Sequence, residues 1–169
     1  MVTNTPQGGM DMNNGDFKIF NNVLMKYLGK SGVVVIPDGI QEVSHFSFQS
    51  EECAKITEIV IPASVKEVNT PFSHCSALER ITVDAENQHY QAIDGNLYTK
   101  DGSILVAYAP ASKRDRFAIP QGVTIVEAFA FSNSSLEYNP SFFWLKIVTP
   151  PAPDVVGTIE ILVTSSLVK

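Results

Sequence analysis

The chain has 169 residues, a net charge of −6 and 44 % hydrophobic residues, enough apolar material for a core in one elongated domain. That acidic balance excludes the phosphate backbone of DNA or RNA as a partner class. No apolar run approaches the ~20 residues that a membrane span needs.

The first stretch, MVTNTPQGGMDMNNGD, is polar and rich in Gly and Asn. Residues 1–15 are expected to form a flexible N-terminal segment. With neither a basic start nor an apolar stretch, it does not read as a signal peptide. DMNNGD at 11–16 has oxygen ligands but no Gly at the sixth position and no closing Glu, which excludes a calcium loop.

From residue 16 the pattern changes. Phe17, Ile19, Asn21-Asn22, Leu24 and Tyr27 give an aromatic, an Ile, a turn, a Leu and a Tyr. The same order returns at Tyr90, Ile93, Asp94-Gly95, Leu97 and Tyr98. Asp-Gly between apolar residues favours a hairpin, because Gly tolerates the positive φ of a type I′ turn. Lys100-Asp101-Gly102 offers a second turn, so 91–108 reads as a small antiparallel insert.

A shorter phrase occurs three times: VVVIPDGIQEVSHFSF at 33–48, EIVIPASVKEVNTPF at 58–72 and FAIPQGVTIVEAFAF at 117–131. Pro37, Pro62 and Pro120 are each followed three residues on by Ile40, Val65 or Val123, and six residues on by Val43, Val68 or Val126. Aromatics follow: Phe46 and Phe48, Phe72, Phe129 and Phe131. LERITVDAENQ is a fourth copy without the proline, placing Leu78, Ile81 and Val83 where the second has Ile56, Ile59 and Ile61. The step from Ile36 to Ile61 is 25 residues, and from Ile61 to Val83 it is 22. Self-similarity at such a period marks a solenoid, whose units bury their apolar faces only by stacking.

Strands near 33–36, 57–61, 79–83 and 116–119 are therefore expected to lie parallel, in chain order, in one sheet. Alternation points Val34, Ile36, Ile59, Ile61, Ile81, Val83, Phe117 and Ile119 into the stack. The prolines end the strands, and the Phe residues form an aromatic column across the core. One outward row holds Val35, Val60, Thr82 and Ala118; the next holds Val33, Glu58, Arg80 and Arg116. The first row is apolar and small. β-Propensity by itself explains that choice, and so does a partner-binding strip on the concave face. Arg80, between Glu58 and Arg116, forms a surface pair of little energetic weight.

Cys53 and Cys75 occupy equivalent places in adjacent coils, where only geometry decides between free thiols and a disulfide. With His74 they make three zinc-type ligands without a paired spacing, short of the ~four a structural site uses. His45, His74 and His89 belong to different coils. No Gly-x-Ser-x-Gly elbow or Gly-rich phosphate cradle is present. The expectation is a protein without catalysis, metal or cofactor. Asn133-Ser134-Ser135 is a formal glycosylation acceptor.

Residues 136–169 depart furthest from the repeat. Phe143, Leu145 and Ile147 alternate as one more strand, and Pro150, Pro151 and Pro153 force an extended crossing. Ile159, Ile161 and Val163 alternate again. The segment 158–163 is expected either to fold back as a cap or to pair with a second molecule, giving a weak homodimer.

ITEIVIPASVKEVNTPFSHCSALERITV resembles the repeat of BspA-like leucine-rich-repeat proteins: Leu-x-x-Ile-x-Ile-Pro, a Val-x-x-Ile turn, then Ala-Phe and a Cys. YQAIDGNLYTKDGSILVAYAP is similar to an insert of that family, and IVTPPAPDV to its C-terminal Thr-Pro-Pro segment. Pro71-Phe72 replaces Ala-Phe and is one residue short, and two extra residues precede Cys53. The resemblance covers 16–155. It implies an α/β leucine-rich-repeat solenoid, predominantly β, with a short parallel strand per coil, β-hairpin inserts and little helix; 156–169 is the terminal strand or cap. It also implies that the Cys fills core space and that the chain is a bacterial, adhesin-like, non-catalytic module at the cell surface or secreted. Such a module grips a protein ligand, such as a host extracellular matrix protein, through the concave sheet. A shallow sheet suits an extended protein better than a small molecule. The alternative is a structural module that self-associates through its open solenoid end.

Overall fold

Valine and isoleucine in strict alternation build the sheet at the centre of the repeat. The computed structural model describes residues 12–30, 32–69, 72–112, 116–134 and 160–162. Strands β4 (Val33–Val35), β6 (Glu58–Ile61) and β8 (Arg80–Val83) lie parallel in chain order. The register puts Val34, Ile59 and Ile81 side by side, and all three are buried. Ile36 and Ile61 are buried next to them, and Val83 packs partly buried against the same core. Gly32 O accepts from the N–H of both Thr57 (2.6 Å) and Glu58 (3.1 Å), and Thr57 O accepts from Glu79 (2.9 Å) and Arg80 (3.3 Å). Each coil thus enters the sheet through the same shared acceptor.

The proline phrase is a turn. Pro37, Pro62 and Pro120 offer their carbonyls to the N–H of Ile40 (3.4 Å), Val65 (3.4 Å) and Val123 (3.2 Å). The turn leads into a second short strand that alternation alone did not reveal. β5 (Glu42–Val43) and β7 (Glu67–Val68) pair in parallel, Val43 opposite Val68. The valine six residues after each proline therefore belongs to another strand, and each of these coils carries two.

Antiparallel hairpins start each half. β1 (Met12–Asn14), β2 (Phe17–Phe20) and β3 (Val23–Tyr27) form a meander whose last strand pairs in parallel with β5. β9 (Tyr90–Ile93), β10 (Asn96–Thr99) and β11 (Ile104–Ala107) form the second, and β11 pairs in parallel with β13 (Ile125–Val126). Asp94 and Gly95 have φ of 54° and 78°, as a type I′ turn requires. Residues 12–14, expected in the flexible leading segment, are a strand because β2 supplies their ladder partners.

The longer repeat is real, but its register differs from the sequence reading. Leu24 is opposite Val43 and Leu105 is opposite Val126. Tyr27 N–H donates to Ser47 O (2.7 Å) and Tyr108 N–H to Ala130 O (2.8 Å). The equivalents of Leu24 and Tyr27 are thus Leu105 and Tyr108, not Leu97 and Tyr98. The aromatic–turn–Leu–Tyr phrase recurs on successive strands of one meander; the three-residue step from Leu to Tyr, shared by 24–27 and 105–108 but not 97–98, agrees with the parallel partner.

The core has two parts. The larger runs from Phe17 to Ala109 and holds the column Phe17–Tyr27–Phe48–Phe72, with centroids 5.4, 5.8 and 5.6 Å apart. The smaller contains Tyr98, Leu105, Tyr108, Phe117 and Ala130, with Ile119 and Phe131 packed against it. Phe46 and Phe129 stand outside both columns, exposed. Among the described residues, helix is limited to the 3₁₀ turn Glu51–Lys55.

One expectation fails. β12 (Arg116–Ala118) does not extend the parallel sheet; it pairs antiparallel with β14 (Glu160–Leu162). The turn between β9 and β10 occupies the place beyond β8, where Ile81 N–H donates to Gly95 O (2.7 Å). Within 158–163, residues 160–162 thus fold back onto β12. Residues 1–11, Pro71 and 135–159, including the strand expected at Phe143, Leu145 and Ile147, lie outside the described residues.

Candidate functional site

The same alternation that buries Val34, Ile59 and Ile81 turns their neighbours outward. Val33 pairs with Glu58 and Glu58 with Arg80; Val35 pairs with Val60 and Val60 with Thr82. Val33 is 49 % exposed and Val35 is 59 % exposed. Val60 and Thr82 are half-buried. Arg80 Nη2 lies 2.6 Å from Glu58 Oε2. The hydrogen bond and charge of Arg80 hold the Glu58 carboxyl below the usual carboxylate range, and Glu58 raises Arg80. This face is thus a β-branched patch edged by one ion pair.

Six of the eight residues named for this strip come together: Val33, Val35, Glu58, Val60, Arg80 and Thr82. Arg116 and Ala118 do not, because their strand belongs to the sheet with β14. The patch ends at β8 because the turn between β9 and β10 covers that edge. A Cβ on Gly95 would stand 3.1 Å from Arg80 Cβ, tighter than ordinary contact, and Gly95 has φ of 78°, so glycine suits the turn that packs against β8.

The polar residues that close the first half were not evident in the sequence. Asn87 is fully buried. Its Nδ2 donates to Pro62 O (2.8 Å) and Val65 O (3.0 Å), while its Oδ1 accepts from the N–H of His89 and Tyr90 (both 2.8 Å). Tyr90 Oη accepts from Val68 N–H (3.0 Å) at the edge of β7. Asn87, within DAENQHY, carried no periodic signal that would mark it in the sequence.

Cys53 and Cys75 are free and fully buried. The neighbouring Cys75 lowers the pKa of the Cys53 thiol, while Cys53 and burial raise that of Cys75. Among the described residues no cluster of His, Cys, Asp or Glu could hold a metal ion. An open cleft of about 430 Å³ is lined by Glu42, Ser44, His45, Val68, Asn69 and Glu127. It is mostly polar, and Asn69 Nδ2 donates to Glu42 Oε1 across it (3.1 Å). Among the described residues no helix is long and apolar enough to cross a membrane.

Stacked coils, a short parallel strand per coil and a recurring Ile-Pro turn define a leucine-rich-repeat solenoid of about four turns. Residues 19–105, just over half the chain, match the family model described as BspA type leucine rich repeat region, in 6 copies. The chain belongs to that family. It is similar to a leucine-rich repeat protein from Eubacterium ventriosum, with 29 % identity and a TM-score of 0.54 over 62 % of this chain and 29 % of that one. The pneumococcal vaccine antigen PcpA matches with 17 % identity and a TM-score of 0.45 over 59 % of this chain and 30 % of that one. A leucine rich cell surface protein from Faecalibacterium prausnitzii matches with 29 % identity and a TM-score of 0.39, covering 54 % of this chain and 30 % of that one. The chain spans under a third of the length of these solved structures. No curated protein matches it.

Proposed function

We infer that the chain is a non-catalytic, adhesin-like module of a bacterial surface or secreted protein. It grips an extended segment of a host or extracellular matrix protein across the outward face of β4, β6 and β8. The observation carrying this reading is the exposed row Val33 and Val35, continued by Val60 and Thr82 on adjacent strands. Four β-branched side chains on a rigid sheet lose little side-chain entropy on contact and offer apolar area. Repeat proteins commonly bind through such continuous faces. Self-association through an open end loses support, because β14 lies paired on β12 of the same chain.

The test is Val60→Lys, alone and with Val35→Lys. Both sites face outward, so the thermal midpoint should stay within a few degrees of the parent while capture of matrix proteins drops at least tenfold. Undiminished capture by the folded double variant rejects this face as the contact.

A further inference from the structure

The two cysteines sit on stacked copies of one turn. Cys53 N–H donates to Ser50 O (3.0 Å) and Cys53 O accepts from Ile56 N–H (3.1 Å). Cys75 N–H donates to Phe72 O (3.0 Å) and Cys75 O accepts from Leu78 N–H (3.1 Å). The backbone frame is the same, one coil apart. Both side chains are fully buried and both thiols are free. Ser50 Oγ stands 3.2 Å from Cys53 Sγ. Paired strands lie about 4.8 Å apart, and a disulfide joins Cα atoms about 4.4–6.8 Å apart. Coils whose strands pair at that spacing bring equivalent turn positions to within about the range a disulfide needs.

We propose that Cys53 and Cys75 are an oxidisable pair that closes into an inter-coil disulfide by exchange with a low-molecular-weight disulfide. Cys53, having given up its proton, attacks one sulfur of the reagent. The reagent's S–S bond breaks, one thiol leaves with that proton, and a mixed disulfide remains on Cys53. Cys75 then gives up its proton and displaces the second thiol. The protein loses two hydrogens and two electrons, and the reagent becomes two thiols. Both sulfurs are shielded, and Cys53 lies within the 3₁₀ turn Glu51–Lys55. The rate of the first step is set by opening of that turn, so it is slower than for an exposed thiol. The closed bond joins two coils across 22 residues of chain and restricts the unfolded state.

The full chain is incubated with oxidised glutathione, its remaining thiols are alkylated, and intact mass and thermal midpoint are measured. A second sample is refolded from urea in the same buffer, which removes the access barrier. The expected product is a monomer lighter by two hydrogens, with no alkylated or glutathione-bearing cysteine. Its midpoint should be higher by on the order of 5–10 °C, reversed by dithiothreitol and missing in Cys53→Ser and Cys75→Ser. If a serine variant does not fold, reversal by reductant on the parent chain gives the same reading. A lasting glutathione adduct, a bond between two chains, a closed bond that lowers the midpoint, or two free thiols after refolding would each overturn the proposal.

Discussion

Single side chains show how unevenly the core tolerates change. Phe48 is fully buried between Tyr27 and Phe72, so no neighbour can collapse into its space without breaking the column. Phe48→Ala should cost about 3–5 kcal/mol, read as a lower urea midpoint. Asn87 makes its contribution through hydrogen bonds instead. Asn87→Asp removes two donors and sets a carboxylate against the carbonyls of Pro62 and Val65. The loss at pH 7 should exceed about 2 kcal/mol. Burial beside those oxygens raises the acid's folded pKa above its unfolded value, so the deficit should shrink as pH falls through the folded pKa. Urea unfolding at pH 7 and pH 4.5 compares the two states; an equal loss at both would contradict this account.

At the level of elements, the parallel strands depend on what closes their edges. β7 is only two residues long, and its outer edge meets the Tyr90 hydroxyl rather than another strand. Tyr90→Phe leaves the buried Val68 N–H without that acceptor and should cost about 1–3 kcal/mol. Burial first, and then the charges of Glu67 and Glu127, hold the Tyr90 phenol above its ordinary value of 10, while the Val68 N–H acts the other way. A folded pKa above the unfolded one means the stabilisation is complete below pH 10 and lost as pH rises through the folded pKa. The parent chain should therefore lose its advantage over Tyr90→Phe in alkaline solution. Thermal midpoints of both proteins from pH 8 to pH 11 test this, and parallel curves would count against it.

At the scale of the molecule, the hairpin inserts divide one repeat array into two unequal cores. The first runs from Phe17 to Ala109; the second holds five buried residues, Tyr108 and Phe117 among them. Tyr108–Phe117 and Phe117–Phe131 stand 4.8 and 5.7 Å apart, so the second core keeps an aromatic cluster of its own. Less apolar burial means a smaller local opening energy. Amides of β12 and β13 should exchange with deuterium by partial opening, while those of β6 and β8 exchange only on global unfolding. Equal protection in both halves would show that the two cores melt as one.

Periodicity in the chain determined the solenoid, the inward rows and the outward patch. A period of two assigns faces within a strand, and a step of 22–25 residues brings Val34, Ile59 and Ile81 into one row. The proline turns were legible for the same local reason, since Pro37 and Pro62 bond only three residues ahead. Tertiary structure decided the rest. Two-residue strands such as β5 and β7 are too short to leave an alternation. Tyr98 follows the turn signal Asp94-Gly95 and so fits the longer repeat in order, but the pairing of β13 with β11 makes Leu105 and Tyr108 the equivalents of Leu24 and Tyr27. Arg116 and Ala118 fit the outward pattern in the sequence, yet their strand lies in another sheet, and Gly95 O takes the Ile81 N–H at the edge of β8. Local spacing sets which way a side chain points, whereas the strand edge it meets depends on hydrogen bonds between segments far apart in the chain.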